Sequence, residues 1–239
     1  MPLAFVNKRV MATEIAAGVY CIDGGGGNFY LCVEDEGLTL IDTGRPGRAD
    51  LVWGLIAQIG RQRTDLTRIL VTHADMDHAG SLAVVQVATG AAVFAGAATA
   101  SLLRQGRSPS HMPFPVQWVI DRFIRYGAVS AATITQFADG DVLPILGGLQ
   151  VLATPGHTLD HFSFYSVAYG VLFAGDALNT RNGRLQSTPP RITADPGAAR
   201  RSAIRLLELA PAVIACGHGT PFTHHSADDI TTLFNELRQ

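Results

Sequence analysis

The segment that most restricts the fold is Leu70-Val71-Thr72-His73-Ala74-Asp75-Met76-Asp77-His78-Ala79-Gly80, where an apolar run stops and four imidazole or carboxylate groups follow within six positions. Residues 66–72 read as a buried strand, so these polar groups begin where the strand ends. Imidazole and carboxylate are the groups that bind zinc, iron or manganese, and a strand-to-helix turn lets them converge without occupying regular secondary structure. Three further candidates each stand beside a glycine and directly after a predicted strand. They are His157 in Thr154-Pro155-Gly156-His157-Thr158, Asp176 in Ala174-Gly175-Asp176, and His218 in Cys216-Gly217-His218-Gly219. If the seven act together, four separate strand ends have to meet.

The remaining pattern runs strands then helices, twice. Residues 18–23, 28–34 and 38–44 read as an antiparallel meander around a glycine run at 24–27. In 49–60, Leu51, Val52, Leu55, Ile56 and Ile59 share a helical face, with Gly60 as the stop. After the 66–72 strand come a helix at about 80–88, a strand at 92–95 and a short helix at 97–105. The second half predicts strands at about 132–137, 149–153, 161–166 and 171–174. A helix over 196–209 follows, capped by Asp195 with Pro196 in its first position, then a strand at 212–216. Ser226 caps a closing helix whose stripe is Ile230, Leu233, Phe234 and Leu237. This order predicts an α/β chain folded as a four-layer αββα sandwich. No repeat or linker interrupts it, so residues 1–239 read as one domain with an insertion at about 106–127.

Composition narrows the partners. Of 239 residues 47% are hydrophobic and only 16% charged, which excludes a disordered chain. A formal charge of −2 leaves no basic footprint for nucleic acid. No run approaches the roughly 18 apolar residues of a membrane span. The N-terminal Met1-Pro2-Leu3-Ala4-Phe5-Val6-Asn7-Lys8-Arg9 has its basic residues after the apolar ones, the reverse of a signal peptide, so a cytoplasmic location is expected. Cys21, Cys32 and Cys216 are too few and scattered for a disulfide framework and read as buried reduced thiols. The 24–27 glycines lack the Lys-Ser/Thr of a phosphate loop and read as a hairpin turn.

With these residues in hand, the chain resembles the metallo-β-lactamase superfamily, whose pattern runs His-x-His-x-Asp-His, then a His, an Asp and a final His at strand ends. Leu40-Ile41-Asp42-Thr43-Gly44 and Gly156-His157-Thr158-Leu159-Asp160-His161-Phe162-Ser163 are also similar to signatures of that family. The resemblance implies the αββα fold with a metal site at one edge of the sheets. It implies one divalent ion held by His73, the residue at 75 and His157, and a second held by Asp77, His78 and His218, with Asp176 bridging. Zinc ranks first. The ions would lower the pKa of water to about 7 and polarise a carbonyl, with Asp77 as the catalytic orienting or proton-carrying group. Asp75 stands where the pattern has histidine. Direct ligation with a bias towards iron or manganese, binding through water, and a weak or empty first position all stay open. Asp42 and His161 are assigned supporting rather than ligating parts. His111, His224 and His225 lie outside the pattern and suit surface positions.

The insertion is the other informative segment. Pro109, Pro113 and Pro115 precede a helix in which Val116, Val119, Ile120, Phe123 and Ile124 form an apolar face. That face either packs on the core or, with His111 and Met112, lines an apolar substrate pocket as a lid. Glyoxalase II relatives carry a further C-terminal helical region, whereas about twenty residues follow His218. Acyl-homoserine lactonases carry a tyrosine soon after the bridging aspartate, whereas this chain reads Asp176-Ala177-Leu178-Asn179. The expected activity is hydrolysis of an ester, thioester or lactone carbonyl in a small, partly apolar molecule, by a monomer or homodimer. A metal-binding ligand sensor and a di-iron redox protein are the alternatives.

Overall fold

The computed structural model describes residues 10–223 and 227–239. Its first sheet takes seven strands in chain order: β1 (Ala12–Ala16), β2 (Val19–Asp23), β3 (Asn28–Glu34), β4 (Gly37–Ile41), β5 (Leu66–Leu70), β6 (Ala92–Gly96) and β7 (Ile134–Phe137). The first four pair antiparallel through short turns; from β4 onward the pairing is parallel. Parallel neighbours need long crossovers, and helices supply them. These are α1 (Ala49–Gln58), α2 (Met76–Ala79) with α3 (Leu82–Thr89), and α4 (Ala97–Leu103) with α5 (Phe114–Phe123).

The second sheet is built from β8 (Val142–Leu143), β9 (Leu149–Ala153), β10 (Phe162–Ser166) and β11 (Val171–Gly175), all antiparallel. After a small ribbon of β12 (Leu178–Asn179) and β13 (Gln186–Ser187), α6 (Pro196–Leu207) returns the chain so that β14 (Val213–Cys216) lies parallel to β11. The closing helix is α7 (Ala227–Arg238).

Side-chain alternation along the strands decides the layering. In β3, Tyr30 and Cys32 face the second sheet and pack in one cluster with Phe164, Val171 and Phe173. Phe29 and Leu31 face the other way, onto Val52, Leu55 and Ile56 of α1 and Leu82 and Val85 of α3. On the far side, Leu172 and Ile214 meet Ala203, Leu206 and Leu207 of α6 and Leu233 of α7. The order helix, sheet, sheet, helix is the expected αββα sandwich, and both sheets are buried on two faces.

Several local expectations meet the structure closely. Gly60 follows α1 with φ +74°, the left-handed conformation that stops a helix. Asp195 caps α6, its Oδ1 accepting from the Ala198 amide at 2.9 Å. All three cysteines are free and buried. Strand β1 was not expected, because Ile15 is its one fully inward apolar side chain and so gives little pattern. The Ser226 cap, His224, His225 and the N-terminal run to Arg9 lie outside the described residues. Among those described, no helix is long and apolar enough to cross a membrane.

Helix α5 departs from one of the two readings of the insertion. No residue in it is buried, and Phe114, Trp118 and Phe123 are 82%, 56% and 64% exposed. Its apolar face therefore does not pack on the core. The segment is instead held at its ends: the Tyr126 hydroxyl lies 2.8 Å from the Ala74 carbonyl and 2.9 Å from that of Arg107.

Candidate metal centre

The loop after β5 delivers the first four groups. Asp75 begins α2, and its carbonyl accepts from the amides of His78 at 3.0 Å and Ala79 at 2.8 Å, which winds one tight turn. Its carboxylate makes no cap hydrogen bond and is turned instead towards the imidazoles. His73 Nε2 stands 3.4 Å and His157 Nε2 3.3 Å from Asp75 Oδ2. The other side of the centre joins His78, Asp77 and His218, with His218 Nε2 3.5 Å from Asp77 Oδ2.

Asp176 lies between the two groups. Its Oδ1 is 3.2 Å from His78 Nε2, and its Oδ2 is 3.4 Å from His157 Nε2 and 3.1 Å from His218 Nε2. All seven residues expected from the sequence are thus brought together. They form three overlapping triads, His73–Asp75–His157, His73–His78–Asp176 and Asp77–His78–His218, each with its donor atoms within 4.8 Å of one another. Two donors bound at roughly 2.0–2.1 Å to a tetrahedral ion stand about 3.3 Å apart, which is the separation the contacting pairs here show.

Supporting residues fix which ring nitrogen of each histidine is free. Asp42 holds φ +60° and accepts at Oδ1 from the Thr72 amide and at Oδ2 from the Thr72 hydroxyl and from His78 Nδ1. Because the Thr72 hydroxyl donates to Asp42, its oxygen accepts from His73 Nδ1 at 3.0 Å. Both histidines therefore keep their protons on Nδ1 and present Nε2 inward, an arrangement typical of metal-ligating imidazoles. Thr188 Oγ1 stands 3.2 Å from His157 Nδ1. His161 does not join the donors: its Nε2 accepts from the Asp176 amide at 2.9 Å and its Nδ1 donates to Thr154 Oγ1 at 2.8 Å. It locks the loop that carries Asp176.

Electrostatics favour a cation. Burial opposes ionisation of Asp75, but the hydrogen-bonding contacts of His157 and His73 outweigh it and hold the carboxyl below the usual carboxylate range. Burial likewise opposes the charge on Asp176, and His78 and His218 hold it well below that range. For His161, burial first and the neighbouring His73 second push the imidazole well below its ordinary value, consistent with its neutral bonding role. Within this field the buried His73 Nε2 and His78 Nε2 face carboxylate oxygens alone, 3.4 Å from Asp75 Oδ2 and 3.2 Å from Asp176 Oδ1, among the described residues. Two inward imidazole nitrogens converging on two carboxylates are a donor set that fits a divalent ion.

One residue corrects the sequence reading. His111 does not occupy a surface position: its side chain is 2% exposed and its Nε2 is 3.3 Å from Asp75 Oδ2. No spacing announces it; the one local signal is a histidine between Pro109 and Pro113, where the chain is stiff. The glycine turn also reaches the centre, since a Cβ at Gly27 would stand 3.0 Å from the Asp77 carbonyl oxygen. Beside His218 opens a cavity of about 510 Å³ whose lining includes Cys21, Asp23, Gly27 and Arg181 and no residue of α5.

Fold and site together define a known class. Residues 22–218 match the model of the metallo-beta-lactamase superfamily, and the chain belongs to that superfamily. It is 26% identical over 257 residues to the probable metallo-hydrolase YflN of Bacillus subtilis, covering 99% of this chain and 97% of that one. It is 31% identical over 179 residues to a hydroxyacylglutathione hydrolase of Idiomarina loihiensis, covering 73% of this chain and 57% of that enzyme. In fold alone, a metallo-beta-lactamase from Cronobacter sakazakii with substitutions in its HARLDQ motif superposes with a TM-score of 0.73. That likeness has 22% identity and covers 96% of this chain and 94% of that one.

Proposed function

We propose that the chain is a metal-dependent hydrolase of an ester, thioester or lactone carbonyl in a small molecule, working with two divalent ions, zinc first. The observation that carries this reading is the pair of donor triads joined by Asp176, with His73 Nε2 and His78 Nε2 buried and turned inward onto carboxylates. His73, Asp75 and His157 would hold one ion, Asp77, His78 and His218 the other, and Asp176 both. Bound there, the ions would bring the pKa of water near neutrality and polarise the attacked carbonyl.

The protein's own groups do the rest. Asp77 is the most exposed of the carboxylates, with 27% of its side chain accessible. In this reading its carboxylate would orient the attacking water, take its proton, and return that proton to the leaving oxygen or sulfur. The cavity beside His218 gives the substrate room next to these donors, and Arg181 on its wall suits a polar end. The hydrolase names of two relatives support the reaction class. Three free buried thiols fit a reducing, cytoplasmic compartment, which is part of the same proposal.

Asp75 supports one second reading. A hard anionic donor in the first position favours iron or manganese over zinc, and with iron a redox role. Elemental analysis and an optical spectrum of protein purified without added metal, followed by lactone, thioester and ester panels, separate these outcomes. Two colourless zinc ions per chain with turnover of one panel is the expected result. A protein that retains no metal, or is inert on every panel when loaded, overturns the hydrolase reading.

A further inference from the structure

The His111 side chain is turned away from solvent, 2% exposed, and its neighbours are the Pro109 backbone and a carboxylate. The loop turns the ring inward, so that Nε2 meets Asp75 Oδ2 at 3.3 Å and the ring centroid lies 4.8 Å from that of His157.

The loop is held in that course from outside. Gln117, in α5, accepts at Oε1 from the amides of both His111 and Met112, each at 3.0 Å. Its Nε2 donates to Asp121 Oδ1 at 2.9 Å, which fixes the orientation of the amide. A helix with no buried residue thereby holds the His111 loop through a single polar side chain. At the other end of the segment, Tyr126 reaches the Ala74 carbonyl, between His73 and Asp75.

We infer that His111 is a positioning residue for the first metal position: set by Gln117, it holds the Asp75 carboxylate in the place where the superfamily pattern has histidine. The inference rests on the metal-binding reading above. It gives the insertion a task, to steady a shorter donor from its open side. Partners that orient metal ligands change affinity by roughly 10–100-fold when removed.

The test uses the full chain titrated with cobalt(II), whose visible absorption reports each position, in competition with a chelator. His111→Ala and Gln117→Ala are expected to weaken one of the two bound ions by about 10–100-fold and to change its spectrum, leaving the other ion as it was. The unfolding midpoint of the metal-free protein should stay within about 2 °C, as for substitutions outside the core. His111→Gln, which keeps a donor facing Asp75, should recover much of the loss. Wild-type affinity and spectrum in both alanine variants overturn the inference. So does an equal loss at both ions accompanied by a lower metal-free midpoint, which is a general loosening. If the wild-type chain takes up no cobalt, the metal-centre reading itself fails.

Discussion

Asp42 Oδ2 lies 2.8 Å from His78 Nδ1, and the same oxygen accepts from the Thr72 hydroxyl at 2.7 Å. One carboxylate therefore sets the proton on two of the donor histidines, directly for His78 and through Thr72 for His73. Asn at position 42 keeps the shape and tolerates the left-handed backbone. It cannot, however, accept at both ends, so a buried N–H loses its partner at a cost of about 1–3 kcal/mol. Asp42→Asn is expected to lower metal affinity by about 10-fold or more, read by chelator competition. Unchanged affinity would show that the tautomer is set elsewhere.

Asp77 is the donor with the most solvent access. Asp77→Asn retains the shape but loses the base, so we expect the fold to persist, by circular dichroism, and turnover to fall by at least about 10²-fold. Near-wild-type turnover with metal still bound would remove Asp77 from the proposed chemistry.

Gly217 stands where a methyl group would intrude on the centre. A Cβ there would lie 2.2 Å from Asp176 Oδ1 and 2.7 Å from His78 Cε1. Gly217→Ala should therefore displace one of these donors, reducing metal content per chain while the secondary structure is preserved. Full metal content in this variant, measured by elemental analysis, would contradict the assignment of His78 and Asp176 as donors.

The thiols offer a test away from the donor set. Burial pushes the Cys21 thiol up to about 12 and Cys32 higher still. At pH 8 the reactive thiolate of Cys21 is then about one part in 10⁴. A colorimetric disulfide reagent should react slowly with native protein and rapidly with all three thiols in denaturant. A raised folded pKa gives stability that is complete below the unfolded value and lost above it. Stability should therefore decline as pH rises from about 9 towards 12, visible in urea midpoints. Rapid native labelling of Cys21 would refute this burial.

Much of the molecule was legible because the donors follow strand ends, where an apolar run breaks at a glycine or a polar cluster. His73, His157, Asp176 and His218 all satisfy that rule, and the strands before them were placed by the same apolar runs. What stayed hidden depends on routes through space. His111 lies 36 positions after Asp75 and shares no period with it, so its inward turn follows from Gln117 and Tyr126, contacts that local sequence does not encode. For α5, periodicity defined an apolar face but carried no information about a surface to cover it. β1 escaped because a short edge strand with one inward Ile15 gives almost no alternation.

The seven candidate donors do not belong to one sheet. His73, Asp75, Asp77 and His78 follow the first, while His157, Asp176 and His218 follow strands of the second. An ion shared among them would close a loop that runs through most of the chain, from 73 to 218, and would act as a detachable cross-link between the two halves. Its stabilisation would grow with free metal concentration by mass action and vanish on chelation. The availability of metal would then govern how long the folded protein survives, as well as how fast it works.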